Sequence, residues 1–177
     1  QKATSHNPRS TVGTVTEIYD YLRLLYSRIG TPRCPDHNEE LRAKTVSEIC
    51  DEILKLKENT KIMIMAPVVR DKKGEHLAIY EDLRKSGFVR VKVNDVVYPI
   101  EEFPTLEKNK KHNISAVIDR LVIKSGNEIR SRISESVETS LLLSDGLVEI
   151  EDIDLNLINL HSSNFSCSQC GYSIPEL

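Results

Sequence analysis

The chain has 177 residues, with 24 Lys and Arg against 27 Asp and Glu, a net charge of −3 and 39% apolar residues. That is ordinary globular chemistry for one medium domain, or for one domain with part of another. The balance excludes wholesale nucleic-acid binding by the entire surface, and no apolar run approaches the roughly 20 residues that span a membrane.

The charge is uneven along the chain. Residues 61–92 carry eight Lys and Arg against four Asp and Glu, whereas residues 145–177 carry six acids and no Lys or Arg. A basic face for an acidic partner is one consequence, and bases scattered over a solvated surface are the commoner alternative. Four cysteines without a signal peptide predict a reducing compartment and a cytoplasmic location. Gln1 is not an initiator Met and Leu177 stops just past a cysteine turn, so the sequence reads as an excised fragment.

In chain order, the turn chemistry of Asn7-Pro8-Arg9-Ser10 and Gly13 predicts an irregular start. Thr14 and Glu17 have capping-box spacing, and Val15, Ile18, Leu22, Leu25 and Ile29 predict an amphipathic helix that Gly30 and Pro32 stop. Thr45 and Glu48 form a second capping box, with Cys50 expected as core filler beside Val46, Ile49, Ile53 and Leu54. Lys61–Val69, apolar on both faces, predicts a central strand, and Arg70-Asp71-Lys72-Lys73-Gly74 an exposed turn. A helix over about 75–85 precedes Phe88–Val93, whose alternation predicts a half-buried strand. Val96–Tyr98 is a short return strand confined to an edge by Pro99. A long strand at Ile114–Lys124, a helix at Asn127–Ser144 with Ile129, Ile133, Val137 and Leu141 inside, and a strand at Leu147–Ile150 complete the order. The expected fold is α/β in the α+β sense: a mixed β-sheet packed with helices, inserted on a helical base.

Two short clusters carry metal chemistry. Cys34-Pro-Asp-His37 and Cys167-Ser-Gln-Cys170-Gly each place two soft ligands three positions apart on a tight turn. Neither half completes a tetrahedral site. If they meet, zinc closes a loop of 129 residues, Asn38 to Ser166, at its base. In the rival arrangement Cys167 and Cys170 pair with a further C-x-x-C beyond Leu177, leaving Cys34 and His37 spare.

Catalytic signals are absent. There is no phosphate-binding loop and no dinucleotide fingerprint, His6, His76, His112 and His161 read as surface or capping residues, and no enzymatic activity is expected of this segment. Alternation places Arg90 and Lys92 opposite Val89, Val91 and Val93, and puts Arg120 between Ile118 and Val122. An Arg with a dry β-branched rim is hot-spot chemistry, unless a helix covers that face.

The run Asn7-Pro8-Arg9-Ser10-Thr11-Val12-Gly13-Thr14-Val15-Thr16-Glu17-Ile18-Tyr19-Asp20-Tyr21-Leu22-Arg23-Leu24-Leu25 resembles the UvrA family, the damage-sensing ATPase subunits of bacterial nucleotide excision repair. So do Gly30-Thr31-Pro32, Cys34-Pro35-Asp36-His37, Gly87-Phe88-Val89-Arg90-Val91, Leu106–His112, Asp119-Arg120 and Cys167–Ser173. The resemblance spans essentially the whole chain. It implies that residues 1–44 belong to an ATP-binding and signature domain with the first half of a zinc module. Residues 45–155 would form the inserted domain that docks UvrB, and residues 156–177 would return to the signature domain with the C-x-x-C turn. Gln1 falls where the family's nucleotide-sensing glutamine would lie. Arg90 and Arg120 match the partner-docking positions, with Lys92, Arg70, Lys72 and Lys73 as lesser contributors. ATP, Mg, damaged DNA and the UvrA homodimer belong to the full-length parent only. A nucleic-acid module gripping DNA through residues 61–92, or a mere spacer, are the competing readings.

Overall fold

Strand β1 (Lys61–Lys73) runs through the centre because both of its faces are apolar: Ile62 to Pro67 are all buried. The computed structural model describes residues 12–124 and 126–165 together with Cys167, Cys170, Tyr172 and Ile174. Five further strands join β1: β2 (Arg90–Val93), β3 (Val96–Pro99), β4 (Lys111–Val122), β5 (Leu147–Asp152) and β6 (Leu157–Ser162). The sheet order is β3-β2-β4-β1-β5-β6 and every ladder is antiparallel. The α+β class is borne out, and the sheet expected as mixed is antiparallel throughout. β6 was not expected. As an edge strand with Leu157 and Ile158 exposed on opposite faces, it shows no apolar–polar alternation.

The helices of the sheet domain lie on one face. Helix α3 (Val46–Ile53) opens with the expected capping box, Thr45 accepting from the Glu48 amide and Glu48 from the Thr45 amide. It packs with α5 (Asn127–Leu143) over Ile62, Ile64, Leu121, Ile123, Val148 and Ile150, and Cys50 is core filler as expected. Ile133 and Val137 of α5 are buried there. α4 (Leu77–Lys85) and the 3-10 turn Ile100–Glu102 cover Ala66, Val91, Val93, Ile114 and Ala116, and Ile118 packs against both clusters. Each large aliphatic side chain so buried contributes about 1.5–3 kcal/mol. Gly146 makes the α5–β5 turn at φ 83°, where a Cβ would meet Asn164 at 2.4 Å.

The opposite face carries Met63, Met65 and Val117, with Ile153 packed on them and, among the described residues, no helix residue in the cluster. Side chains do the covering. Lys92 of β2 reaches across β4 and β1 to Glu151 of β5, with Nζ 2.8 Å from Oε2. Three strand spacings amount to about 14 Å, so both side chains lie extended along the sheet. Both are buried, at 7% and 8% side-chain exposure, and their stems shield apolar surface that a helix would otherwise cover.

Several local expectations are corrected. Residues 12–29 form two helices, α1 (Val12–Val15) and α2 (Ile18–Ile29), broken at Glu17 with φ 63°. Thr16 donates to the Val12 carbonyl, no side chain caps α2, and none of its residues is buried. The supposed turn at Arg70–Lys73 is the irregular end of β1. Asp71, at φ 49°, is held there by the Asn113 side chain and by Lys111. Val89 is exposed rather than in the core, since β2 starts one residue later. Ile118 does not share a face with Arg120 and Val122. A bulge sets Ile64 opposite Asp119 and Met65 opposite Val117, so both Ile118 and Asp119 turn to the helices. Arg120 is thereby re-aimed to the helix-free face, opposite Met63.

The Lys92–Glu151 pair yields a stability prediction. Lys92→Ala or Glu151→Gln strands one buried charge and should cost about 3–5 kcal/mol in denaturant unfolding, whereas Lys92→Met with Glu151→Leu should be close to neutral. A single replacement that unfolds like the parent would show that the pair does not hold this face.

Candidate metal centre and docking face

The metal ligands are set by two small turns. At the first, the Cys34 amide donates to the Glu39 carbonyl at 2.8 Å and the Asn38 amide to the Cys34 carbonyl at 2.9 Å. Asn38 takes the left-handed conformation that closes the knuckle, at φ 52°. At the second, the Cys167 amide donates to the Tyr172 carbonyl at 2.8 Å, and the Tyr172 amide points at Cys170 Sγ from 3.5 Å. Leu41 and Ile174 pack on Cys34 and Cys167 between the turns.

The four side chains converge. Cys34 Sγ lies 3.6 Å from His37 Nδ1 and 3.6 Å from Cys170 Sγ, and Cys167 Sγ lies 3.7 Å from His37 Nδ1. All four ligand atoms fall within 4.8 Å of one another. Zinc bonded to sulfur at about 2.3 Å and to nitrogen at about 2.0–2.1 Å would set tetrahedral neighbours roughly 3.5–3.8 Å apart. The cluster therefore fits a tetrahedral ion. Between the two pairings open in the sequence, the geometry joins Cys34 and His37 to Cys167 and Cys170. Burial raises the Cys34 thiol, but the His37 amide and ring, the Asp36 amide and Cys170 outweigh it, lowering the thiol to about 7. A thiol so poised readily supplies the thiolate a metal needs.

A second tie sits beside this one. The Lys44 amide donates to the Ser162 carbonyl at 2.9 Å, and Lys44 Nζ donates to Glu52 at 2.7 Å, next to half-buried His161. The chain thus enters and leaves the sheet domain at one place.

On the helix-free face the proposed contact residues separate. Arg90 and Arg120 are exposed and make no side-chain hydrogen bond or ion pair among the described residues. Arg70 is half-buried, while Lys72 and Lys73 are exposed at the end of β1. Lys92 is corrected: it is buried against Glu151, as internal cover of this face, and it offers no free charge to a partner. Asp119, beside Arg120, is committed to the helix side, where the Arg132 guanidinium holds its carboxyl below the usual range. Gln1 and His6 lie outside the described residues. His112 is buried, not superficial, with Nε2 3.0 Å from the Glu107 carbonyl.

Sequence reasoning missed the acids of this face. Glu149 and Glu151 alternate with buried Val148 and Ile150, and that alternation was the available signal. Glu149 accepts a hydrogen bond from the Ser115 hydroxyl at 2.7 Å.

With this geometry in hand, comparison with known proteins gives one family. The model of the UvrA interaction domain matches residues 44–154. The UvrABC system protein A of Pseudomonas aeruginosa is 52% identical over 181 residues, covering all of this chain and 19% of the relative. The proteins of that name from Xylella fastidiosa and Neisseria gonorrhoeae are 52% and 51% identical, again over the whole chain and 18% of each relative. The chain spans about a fifth of the length of these curated relatives. It belongs to the UvrA family.

Proposed function

We propose that the sheet domain is a docking module that captures UvrB in bacterial nucleotide excision repair, through the face that carries no helix. One observation carries the reading: two arginines, Arg90 and Arg120, stand exposed and unpaired among the described residues on a face floored by Met63, Met65 and Val117. A planar guanidinium above a dry floor is hot-spot chemistry for an acidic partner. Arg70, Lys72 and Lys73 flank it and would act chiefly on association rate. The DNA-gripping alternative is weakened because Lys92 of residues 61–92 is buried against Glu151, and Lys61 and Lys85 already have acids beside them in Asp154 and Glu81.

In this reading residues 1–44 and 156–177 belong to the ATPase body, and the insert lies between them. Zinc is the ion proposed for Cys34, His37, Cys167 and Cys170. Bound there it would supply a covalent-strength staple and no reaction chemistry. The residues themselves hold the two arms together and orient the insert. ATP and Mg chemistry, dimerisation and contact with damaged DNA are assigned to the whole protein, working in the cytoplasm. No helix among the described residues is long and apolar enough to cross a membrane.

Two measurements test this. In calorimetric titration with UvrB, Arg90→Ala and Arg120→Ala should each weaken binding by about 2 kcal/mol, roughly thirtyfold, with unfolding unchanged. Tight DNA binding together with an unaltered UvrB affinity in both variants would refute the docking reading. For the metal, Cys34→Ser should remove one zinc per chain by atomic emission. An unchanged zinc count would mean that Cys167 and Cys170 draw their partners from elsewhere.

A further inference from the structure

The helix-free face is not purely basic: Glu149 lies on it without an ion-pair partner among the described residues. Glu149 sits between Met65 and Leu160 in the ladder, with apolar neighbours on both sides. It is half-buried, and its hydrogen bond from Ser115 fixes the carboxylate on this face of the sheet. The neighbouring cations do not pair with it. Lys92 is taken by Glu151 at 2.8 Å, and Arg70 makes no ion pair with Glu149 among the described residues. Burial pushes the Glu149 carboxyl up, as does Glu151. The Ser115 hydroxyl, Arg70 and Lys92 oppose that rise without cancelling it.

A partly desolvated carboxylate without an ion-pair partner is unfavourable in a free surface and becomes favourable when a donor arrives. Apolar flanks make the arrival more effective, since a covering partner expels the remaining water. Resting on the docking reading above, we propose that Glu149 is a recognition point for an Arg or Lys side chain of the protein that covers this face. The interface is then of mixed sign: the partner presents acids to Arg90 and Arg120 and a base to Glu149. Such a pattern sets register and rejects a polyanion such as DNA, whose phosphates would meet the carboxylate.

The test uses the whole protein, with UvrB as titrant. Glu149→Gln keeps the shape and an acceptor for Ser115 while removing the charge. It should weaken UvrB binding about tenfold while leaving the thermal unfolding midpoint unchanged or raised, and Glu149→Lys should weaken binding further. Unchanged affinity in Glu149→Gln, or a loss that merely follows a lowered midpoint, would overturn the proposal. Arg90→Ala and Arg120→Ala run alongside. If they weaken binding and Glu149→Gln does not, only the Glu149 point fails; if they bind like the parent, the docking reading fails and takes this point with it.

Discussion

A lysine and a glutamate three strands apart allow one face of this sheet to exist without helices. A six-stranded sheet with α3, α4 and α5 on one side would normally need a second layer to keep Met63, Met65 and Val117 from water. Lys92 and Glu151 supply it with their own stems, meeting over the centre of the sheet. The arrangement is thin. It shields the apolar floor yet leaves Arg90 and Arg120 exposed on the same face, Arg120 directly opposite Met63. A helix in the same place would bury both arginines. Fold and proposed function thus depend on one choice of cover, a charge pair where packing alone would have sealed the surface.

Much of this was legible in the sequence. The 3.6-residue period of Ile129, Ile133, Val137 and Leu141, the capping box at Thr45 and Glu48, and the double-sided apolar run from Lys61 gave elements that the structure contains. Two of the failures lay where tertiary contacts override local pattern. The bulge at Ile118–Asp119 breaks alternation because Asp119 is drawn to Arg132, a residue of α5. Lys92 looked like a free cation because its partner lies 59 positions away. β6 carries little alternation because an edge strand is asked to bury little. The candidate metal cluster was visible as two halves with two possible pairings, and the fold decides between them by bringing together residues 136 positions apart, Cys34 and Cys170.

The base of the domain has a complementary logic. Cys34 and His37 approach Cys167 and Cys170, and nearby Lys44 meets Ser162 through the backbone and Glu52 through its side chain. Closing a long loop at its foot removes much of the freedom of the open chain, the general route by which cross-links stabilise. Two such ties side by side also restrict how the sheet tilts on its arms. Under the proposed docking reading, a face that a larger machine uses needs a held orientation, and the cluster would serve the same task as the arginine face.

The central claim is that the helix-free face is what a partner covers. The chain's two methionines, Met63 and Met65, both lie on that floor, which makes their methyl groups selective reporters. Methyl NMR of the chain during titration with UvrB tests the claim directly. The account predicts that both methionine signals shift on binding while Ile133 and Val137, under the helices, stay in place. Methionine signals that stay fixed at saturating UvrB, with shifts confined to the helical side, would contradict it.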